Sequence, residues 1–342
     1  MSSSSLPSTS HWPAVDARGF GEPFDAFPVD EHFTVKPDLI KLTPPDDWLR
    51  IDRQWPEMMA AKLAAMAGGP QAAPADNVML ASACEPARDA ARLAAVRRCC
   101  EALGKTAAGR SLGIVSRPDG ISFGAAGYRV QLTHGRVQLG ADRADAESVL
   151  GTLASGSDGL RLLGALAMSL QEDLVLMEQA PGDDVARAAL FHVSFPSAWN
   201  PASKVGQDLL ALHAPVADNA PLQAAAARLG QALLGKGPFV RWVWTVTHNP
   251  RWRAWPPPDA AEAFTDESPL YFRLERQTTL PLGEGYGMFL IRVQVKRLEH
   301  ALAQPGRCAL LRASLMSMSE SMVSYKNLAG VRRRLLAVVS GR

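Results

Sequence analysis

Two stretches carry side chains whose types and spacing could do chemistry. The first, "FPSAWNPASKVGQDLLALHAPV" at 195–216, holds one histidine in what otherwise reads as a turn and an amphipathic helix. His213 falls where that helix ends, two residues before Pro215. An imidazole there can bond to the last helix carbonyls and sit at the negative end of the dipole. It can also bind a metal. No second His, Asp or Glu stands at ligand spacing, which argues against zinc and against a two-histidine, one-carboxylate iron site. A haem iron needs only one protein imidazole, so a lone histidine is compatible with it. On this stretch alone both readings stand.

The second stretch is "YFRLERQTTL" at 271–280. A strand's period of two puts Tyr271, Arg273, Glu275 and Gln277 on one face and Phe272, Leu274, Arg276 and Thr278 on the other. Charged residues in mid-strand mean either a solvated sheet face or the wall of a polar pocket. In a pocket, an arginine could grip a carboxylate and a glutamate could hold an ammonium. The strand "FVRWVWTV" sets Arg241, Val243 and Thr245 opposite Trp242 and Trp244. Four of the eight tryptophans fall between 242 and 255, which serves core packing or a flat apolar cofactor. Tyr325-Lys326 on a late helix reads as a surface pair, and "QEDL" at 171–174 as a strand entry with two adjacent acids.

The elements that must position these residues can be read from the same patterns. Helices are expected over 56–67 and 84–103, a small Gly-punctuated hairpin within 111–140, and a helical stretch over 143–170. From 171 onwards two strands (173–178, 189–196) precede two helices (202–213, 219–235). Three strands (239–246, 271–280, 288–295) follow, then helices over 296–304, 307–328 and 330–339. Strands that cluster instead of alternating with helices indicate an α+β fold. A five-stranded antiparallel sheet with intervening helices on one face is the PAS-like arrangement, in which sheet and helices enclose a ligand pocket. Residues 1–20 are expected to be a disordered tail and 21–170 a mainly helical region with the hairpin. Residues 171–342 would form the PAS-like core with C-terminal helices, and 21–342 together one compact domain.

Composition narrows the function classes. The chain has 342 residues, 47% hydrophobic and 20% charged, enough to build a proper core. A net charge of +2 and the absence of a basic stripe interleaved with aromatics argue against nucleic acid. The apolar runs are too short for a membrane span and no secretory leader is visible, so a soluble cytoplasmic protein is expected. Four cysteines without C-x-x-C spacing fit reduced thiols better than a disulfide scaffold or zinc site. No Gly-rich phosphate loop, G-x-S-x-G or H-E-x-x-H occurs.

Taken in order, "LIKLTPPDDWLRIDRQWPEMMAAK", "QEDLVLM", "FPSAWNPASKVGQDLLALHAPV", "VRWVWTV", "FRLERQTTLPL" and "MVSYKNL" resemble the series found in haem-dependent oxidative N-demethylases, over roughly residues 33–330. The resemblance implies a PAS-like fold holding haem b through His213, with Pro215 fixing the exit of the chain. Lys204, Arg241, Trp244, Arg273 and Arg276 would surround the cofactor, with Lys204, Arg241 and Arg273 as propionate contacts. Glu275 would hold the ammonium of a small N-methylated amine and accept its proton, with Tyr325 beside it. O2 and a separate flavin or ferredoxin reductase would complete the reaction, and the methyl group would leave as formaldehyde. The family's segment carries Asn before the last tryptophan of "RWVW" where this chain has Val243, and 104–140 departs from the family's pattern. A non-catalytic haem-binding sensor or binding protein is the alternative, and a degenerate member with a structural role a third.

Overall fold

The computed structural model describes residues 20–43, 48–66, 80–83, 85–142, 146–154, 156–197, 199–255 and 268–340. The expected tail at 1–20 and the Gly/Pro/Ala linker at 69–78 lie outside the described residues, apart from Phe20. In chain order come β1 (Ile40–Lys41), α1 (Trp55–Met66), β2 (Leu80–Ser82), α2 (Asp89–Gly104) and α3 (Ala107–Ser111). Strands β3 (Ile114–Arg117), β4 (Gly120–Phe123), β5 (Tyr128–Thr133) and β6 (Arg136–Ala141) follow, then α4 (Glu147–Leu153) and α5 (Asp158–Ala167). The second half runs β7 (Asp173–Glu178), β8 (Arg187–His192), α6 (Leu209–His213), α7 (Ala220–Gly235), β9 (Phe239–Thr247), β10 (Tyr271–Gly283) and β11 (Tyr286–Arg297). It closes with α8 (Leu298–Ala301), α9 (Arg307–Ser317), α10 (Glu320–Tyr325) and α11 (Arg332–Ser340).

The fold is a mixture of helices with two antiparallel sheets. The five strands expected from the sequence lie side by side in the order β9-β10-β11-β7-β8, with the short β1 and β2 added at the two edges. The expected hairpin within 111–140 is instead a four-stranded meander, β3-β4-β5-β6. Its strands are short and turn on glycines with positive φ at Gly127 and Gly135, so each one shows too few alternations to be read separately. The expected helix at 202–213 is two pieces, a 3-10 turn at Pro201–Lys204 and α6. Gly206, at φ 76°, breaks the run, and Asp208 restarts it by accepting from the Ala211 N–H at 2.8 Å.

Cross-strand pairing fixes the two faces of the large sheet, because directly paired residues point the same way. Arg273, Glu275 and Gln277 share a face with Thr245, Val243 and Arg241, their partners on β9, and with Val295, Val293 and Ile291 on β11. Leu274, Arg276 and Thr278 share the opposite face with Trp244, Trp242 and Val240. On that opposite face a cluster including Leu174, Leu176, Met288 and Leu290 packs with Leu93 and Val96 of α2 and Leu162, Leu163 and Leu166 of α5. It also takes in Phe123, Tyr128 and Val130 of the meander. The intervening helices cover the first face: Leu233 and Leu234 of α7 pack with Val175, Met177 and Phe191, and Leu209 and Leu212 of α6 join them. At Gly287 of β11 a Cβ would lie 2.6 Å from the Leu233 carbonyl oxygen. Only glycine lets α7 come this close. The C-terminal helices bury Leu311, Leu315, Met322 and Leu335 against Phe272, Leu274 and Trp244. No helix among the described residues is long and apolar enough to cross a membrane.

Candidate functional site

The face covered by α6 and α7 brings most of the singled-out residues together. His213 is the last residue of α6 and is partly buried. Its Nδ1 lies 2.7 Å from the carbonyl oxygen of Leu209, one turn earlier. A carbonyl can only accept, so Nδ1 carries the proton and Nε2 keeps a free lone pair. The helix-capping reading and the ligand reading thus meet in one side chain, which bonds its own helix through one nitrogen and leaves the other without a hydrogen bond. The chain leaves α6 on a fixed path, because Asn219 Nδ2 donates to the His213 carbonyl at 2.9 Å. Burial lowers the His213 pKa below its ordinary value and the nearby Arg241 and Lys204 charges add to that, while the bond to Leu209 opposes them. A neutral imidazole is the form that binds a metal.

Arg241 stands on β9 with its side chain on this face and its Nε buried without a hydrogen-bond partner. Burial lowers its pKa, with the charges of Glu275 and Asp38 acting against that. Lys204, at the end of the 3-10 turn, is partly buried and its pKa is lowered by burial. Both cations act on His213, and Glu275 acts on Arg241. Imidazole, cations and carboxylate therefore lie within electrostatic reach of one another.

Glu275 is partly buried, and its cross-strand neighbour on β9 is Val243. Its Oε1 accepts from the Ser197 hydroxyl, and its Oε2 accepts from Gln277 Nε2 at 2.8 Å. It makes no direct ion pair with Arg273. That guanidinium donates through Nε to Ser197 Oγ at 2.8 Å, and through its other nitrogens to the carbonyls of Arg251 at 3.2 Å and Phe195 at 3.1 Å. Arg273 is thus committed to the protein itself and ties the chain after β8 to the chain after β9, which leaves it poorly placed to hold a propionate. Tyr325, at the end of α10, is half exposed at 49%. Burial raises its pKa and the Glu275 charge raises it further, so its phenol keeps its proton.

Two of the expected cofactor contacts lie on the other side of the sheet. Trp244 is 6% exposed and stacked on Phe272 with ring centroids 5.9 Å apart. Arg276 is 2% exposed, lies 6.0 Å over the Trp242 ring, and reaches the Trp48 carbonyl at 3.4 Å. Both belong to the packed side, because their even positions on β9 and β10 point away from Glu275 and Arg241. His192, at the end of β8, also faces away from Glu275 and Arg241: it pairs with Leu174 and is fully buried.

Three residues near the site had no role in the sequence reading. Ser197 and Gln277 hold Glu275, and Gln277 had been placed on the right face by the strand period. Lys326 is the third. It is held at the edge of β9, where its Nζ donates to the Trp244 carbonyl at 2.5 Å and lies over the Phe33 and Trp244 rings at 4.9 and 5.1 Å. Burial brings its pKa down to about 8. Among the described residues no group of three or more His, Cys, Asp or Glu side chains could hold a metal ion.

A family model for haem-dependent oxidative N-demethylase, alpha subunit-like proteins matches residues 137–336. The chain belongs to this family. The matched segment runs from β6 into α11, so it contains the whole of the five-stranded sheet, the 3-10 turn, α6 and α10. Lys204, His213, Arg241, Glu275 and Tyr325 all lie inside it. No curated protein matches the chain.

Proposed function

We propose that the chain holds haem b on the His213 face of the sheet and oxidises a small N-methylated amine there. The reading is carried by one juxtaposition: an imidazole with Nε2 left over, beside Arg241, a partly buried arginine whose buried Nε has no partner. A guanidinium cannot shed its charge, so burying one unpaired is costly unless an anion completes it. Haem offers what the residues lack. Nε2 of His213 would ligate iron, Arg241 and Lys204 would hold propionates, and the apolar lining of Leu209, Leu212 and α7 would cover the porphyrin. The Leu209 carbonyl bonded to Nδ1 would orient the ring and raise its basicity. The order of the five long strands, second-first-fifth-fourth-third along the chain, supports a PAS-like sheet, and the core shared across residue 170 supports one compact domain over 21–342.

Haem b, when bound, supplies the redox chemistry: with O2, two electrons from a separate flavin or ferredoxin reductase and two protons, the N-methyl group leaves as formaldehyde, with the demethylated amine and water as the other products. The chain's own residues handle the amine. Glu275 accepts a hydrogen bond from the ammonium and takes its proton, since the neutral amine is the easier one to oxidise. Tyr325 donates from the half-exposed side and closes the site toward solvent. The test is reconstitution with haem b, followed by absorption spectroscopy and by formaldehyde release with mono-, di- and trimethylamine in the presence of a reductase. A Soret band and formaldehyde from at least one amine are expected. Haem binding without formaldehyde from any of them would make the chain a non-catalytic haem protein, and no Soret band would overturn the reading altogether.

A further inference from the structure

We infer that Ser197 is the positioning residue that aims Glu275, and that the site is thereby built to receive a cation. This rests on the proposal that Glu275 holds the amine. The argument starts from the path of the chain after β8. The Asp173 carboxylate accepts from the N–H groups of Ser194 at 2.9 Å and Phe195 at 2.8 Å. That fixes the exit of β8 and places Ser197 beside β10, 78 positions earlier in sequence than Glu275. Arg273 Nε then donates to Ser197 Oγ at 2.8 Å. A serine hydroxyl has a single proton. With its oxygen facing the guanidinium, that proton goes to Glu275 Oε1. Donation from a cation polarises the hydroxyl and strengthens the bond it makes in turn.

The consequence is a carboxylate held at both oxygens by neutral donors, Ser197 and Gln277. Arg273 is kept one atom away and spends its remaining nitrogens on the Arg251 and Phe195 carbonyls. Had the guanidinium reached the carboxylate directly, it would have closed a bidentate pair and left little for a ligand. With the hydroxyl between them, each Glu275 oxygen keeps a lone pair, and the side chain is held in one orientation before the ligand arrives. Such preorganisation is what separates a binding carboxylate from a surface one.

The test compares Ser197→Ala, Ser197→Thr and Glu275→Gln with the parent chain. Dimethylammonium chloride is the probe, titrated against haem-loaded protein by the Soret shift and against haem-free protein by calorimetry. Ser197→Ala is expected to weaken binding about tenfold, the contribution of one hydrogen bond to a charged group. Ser197→Thr, which keeps the hydroxyl, should stay within about twofold of the parent. Ser197→Ala should melt somewhat lower, because Arg273 Nε loses its acceptor, but the amine-free spectrum should be the same in both variants. Amine affinity lost in Ser197→Ala and kept in Ser197→Thr, with the spectrum unmoved, is what a merely structural role for Ser197 would not give. If Ser197→Ala binds as the parent does while Glu275→Gln binds weakly, Ser197 does not position Glu275 and this inference fails alone. If Glu275→Gln also binds as the parent does, the amine site itself is wrong. Should Ser197→Ala not fold, Ser197→Cys, similar in size but a weak donor, is read by the same outcomes.

Discussion

On the face of the central sheet that packs against α2 and α5, two arginines are bonded directly to buried carboxylates. Arg292 donates to Asp52 at 2.6 Å, and Arg92 grips Glu178 with two bonds at 2.6 and 2.9 Å. Arg292 Nε has no partner of its own, but the same guanidinium is bonded to Asp52, and two other groups left without a partner in that interior can lose their charge. Burial raises the pKa of Glu172, neither of whose oxygens has a partner, and lowers that of His192, neither of whose ring nitrogens has one. On the opposite face the arrangement differs. Arg241 has an Nε without a partner, Arg273 is bonded to carbonyls and a hydroxyl, and Glu275 is held by neutral donors. A titratable group can be buried alone by becoming neutral. A guanidinium has no such exit, so an unpaired one marks a place where the chain alone is incomplete.

Variants on the two faces should therefore fail in different ways. The largest effect is expected from His213→Ala on the pocket face: loss or a large shift of the Soret band, with the haem-free protein still folded. His192→Ala should keep the parent spectrum. An unchanged spectrum in His213→Ala would remove the pocket face from haem binding. Next comes Arg292→Met on the packed face. It leaves Asp52 buried without its cation and should cost about 3–5 kcal/mol, measured by denaturant unfolding of the haem-free protein. The double variant Arg292→Met with Asp52→Leu should recover much of that, because replacing both partners is far milder than removing one. Glu275→Gln keeps the shape and removes the charge. It should weaken amine binding by about 10–100-fold, the range for a charge-assisted hydrogen bond, with the haem spectrum unaltered. Arg241→Met is the subtlest of these. Haem should dissociate several-fold faster, while the haem-free protein should be no less stable than the parent. Loss of stability in Arg241→Met would show that Arg241 is a structural cation after all and would erase the contrast between the faces.

Much of this contrast was legible in the sequence. The five long strands are legible because each is a run of six or more residues rich in apolar and strand-forming side chains, with β7 and β8 buried almost throughout, and the period of two divides β10 into its two faces. The same period places Arg276 opposite Glu275, and Trp244 opposite Arg241. Placing Arg241, Trp244 and Arg276 around one cofactor sets aside that parity, and in the structure Trp244 and Arg276 lie on the face opposite Arg241. The short edge strands β1 and β2, of two and three residues, give no periodic signal, and their pairing comes from the neighbours they meet. The isolation of His213 was visible, but the bond from its Nδ1 to Leu209 was not. It depends on α6 being a five-residue helix and not the longer one that the pattern predicts. Ser197 was hidden for a different reason. A serine in a loop means little until the fold brings it against β10, and that contact is set by Asp173 and Arg273 jointly.

The smallest effect concerns acid. His192 is fully buried with no partner for either ring nitrogen, and burial, with the Lys62 charge adding to it, brings its pKa down to about 3. In the unfolded chain a histidine titrates near 6.5. Below that pH the unfolded state takes up a proton that the folded state refuses, so folding stability falls as pH drops from about 6.5 to about 3. The slope cannot exceed ~1.4 kcal/mol per pH unit for one group. Haem-free protein unfolded with denaturant at pH 6.5 and 5.5 should therefore lose up to about that amount from this residue. His192→Leu should remove that part of the loss. It should also leave stability at pH 7 equal or higher, since it replaces an unbonded polar group by an apolar one of similar bulk. An unchanged acid slope in His192→Leu would mean that the imidazole takes up its proton in the folded chain as readily as in the unfolded one. The packed face would then hold an uncompensated charge of its own, and the difference between the two faces would no longer point to the ligand.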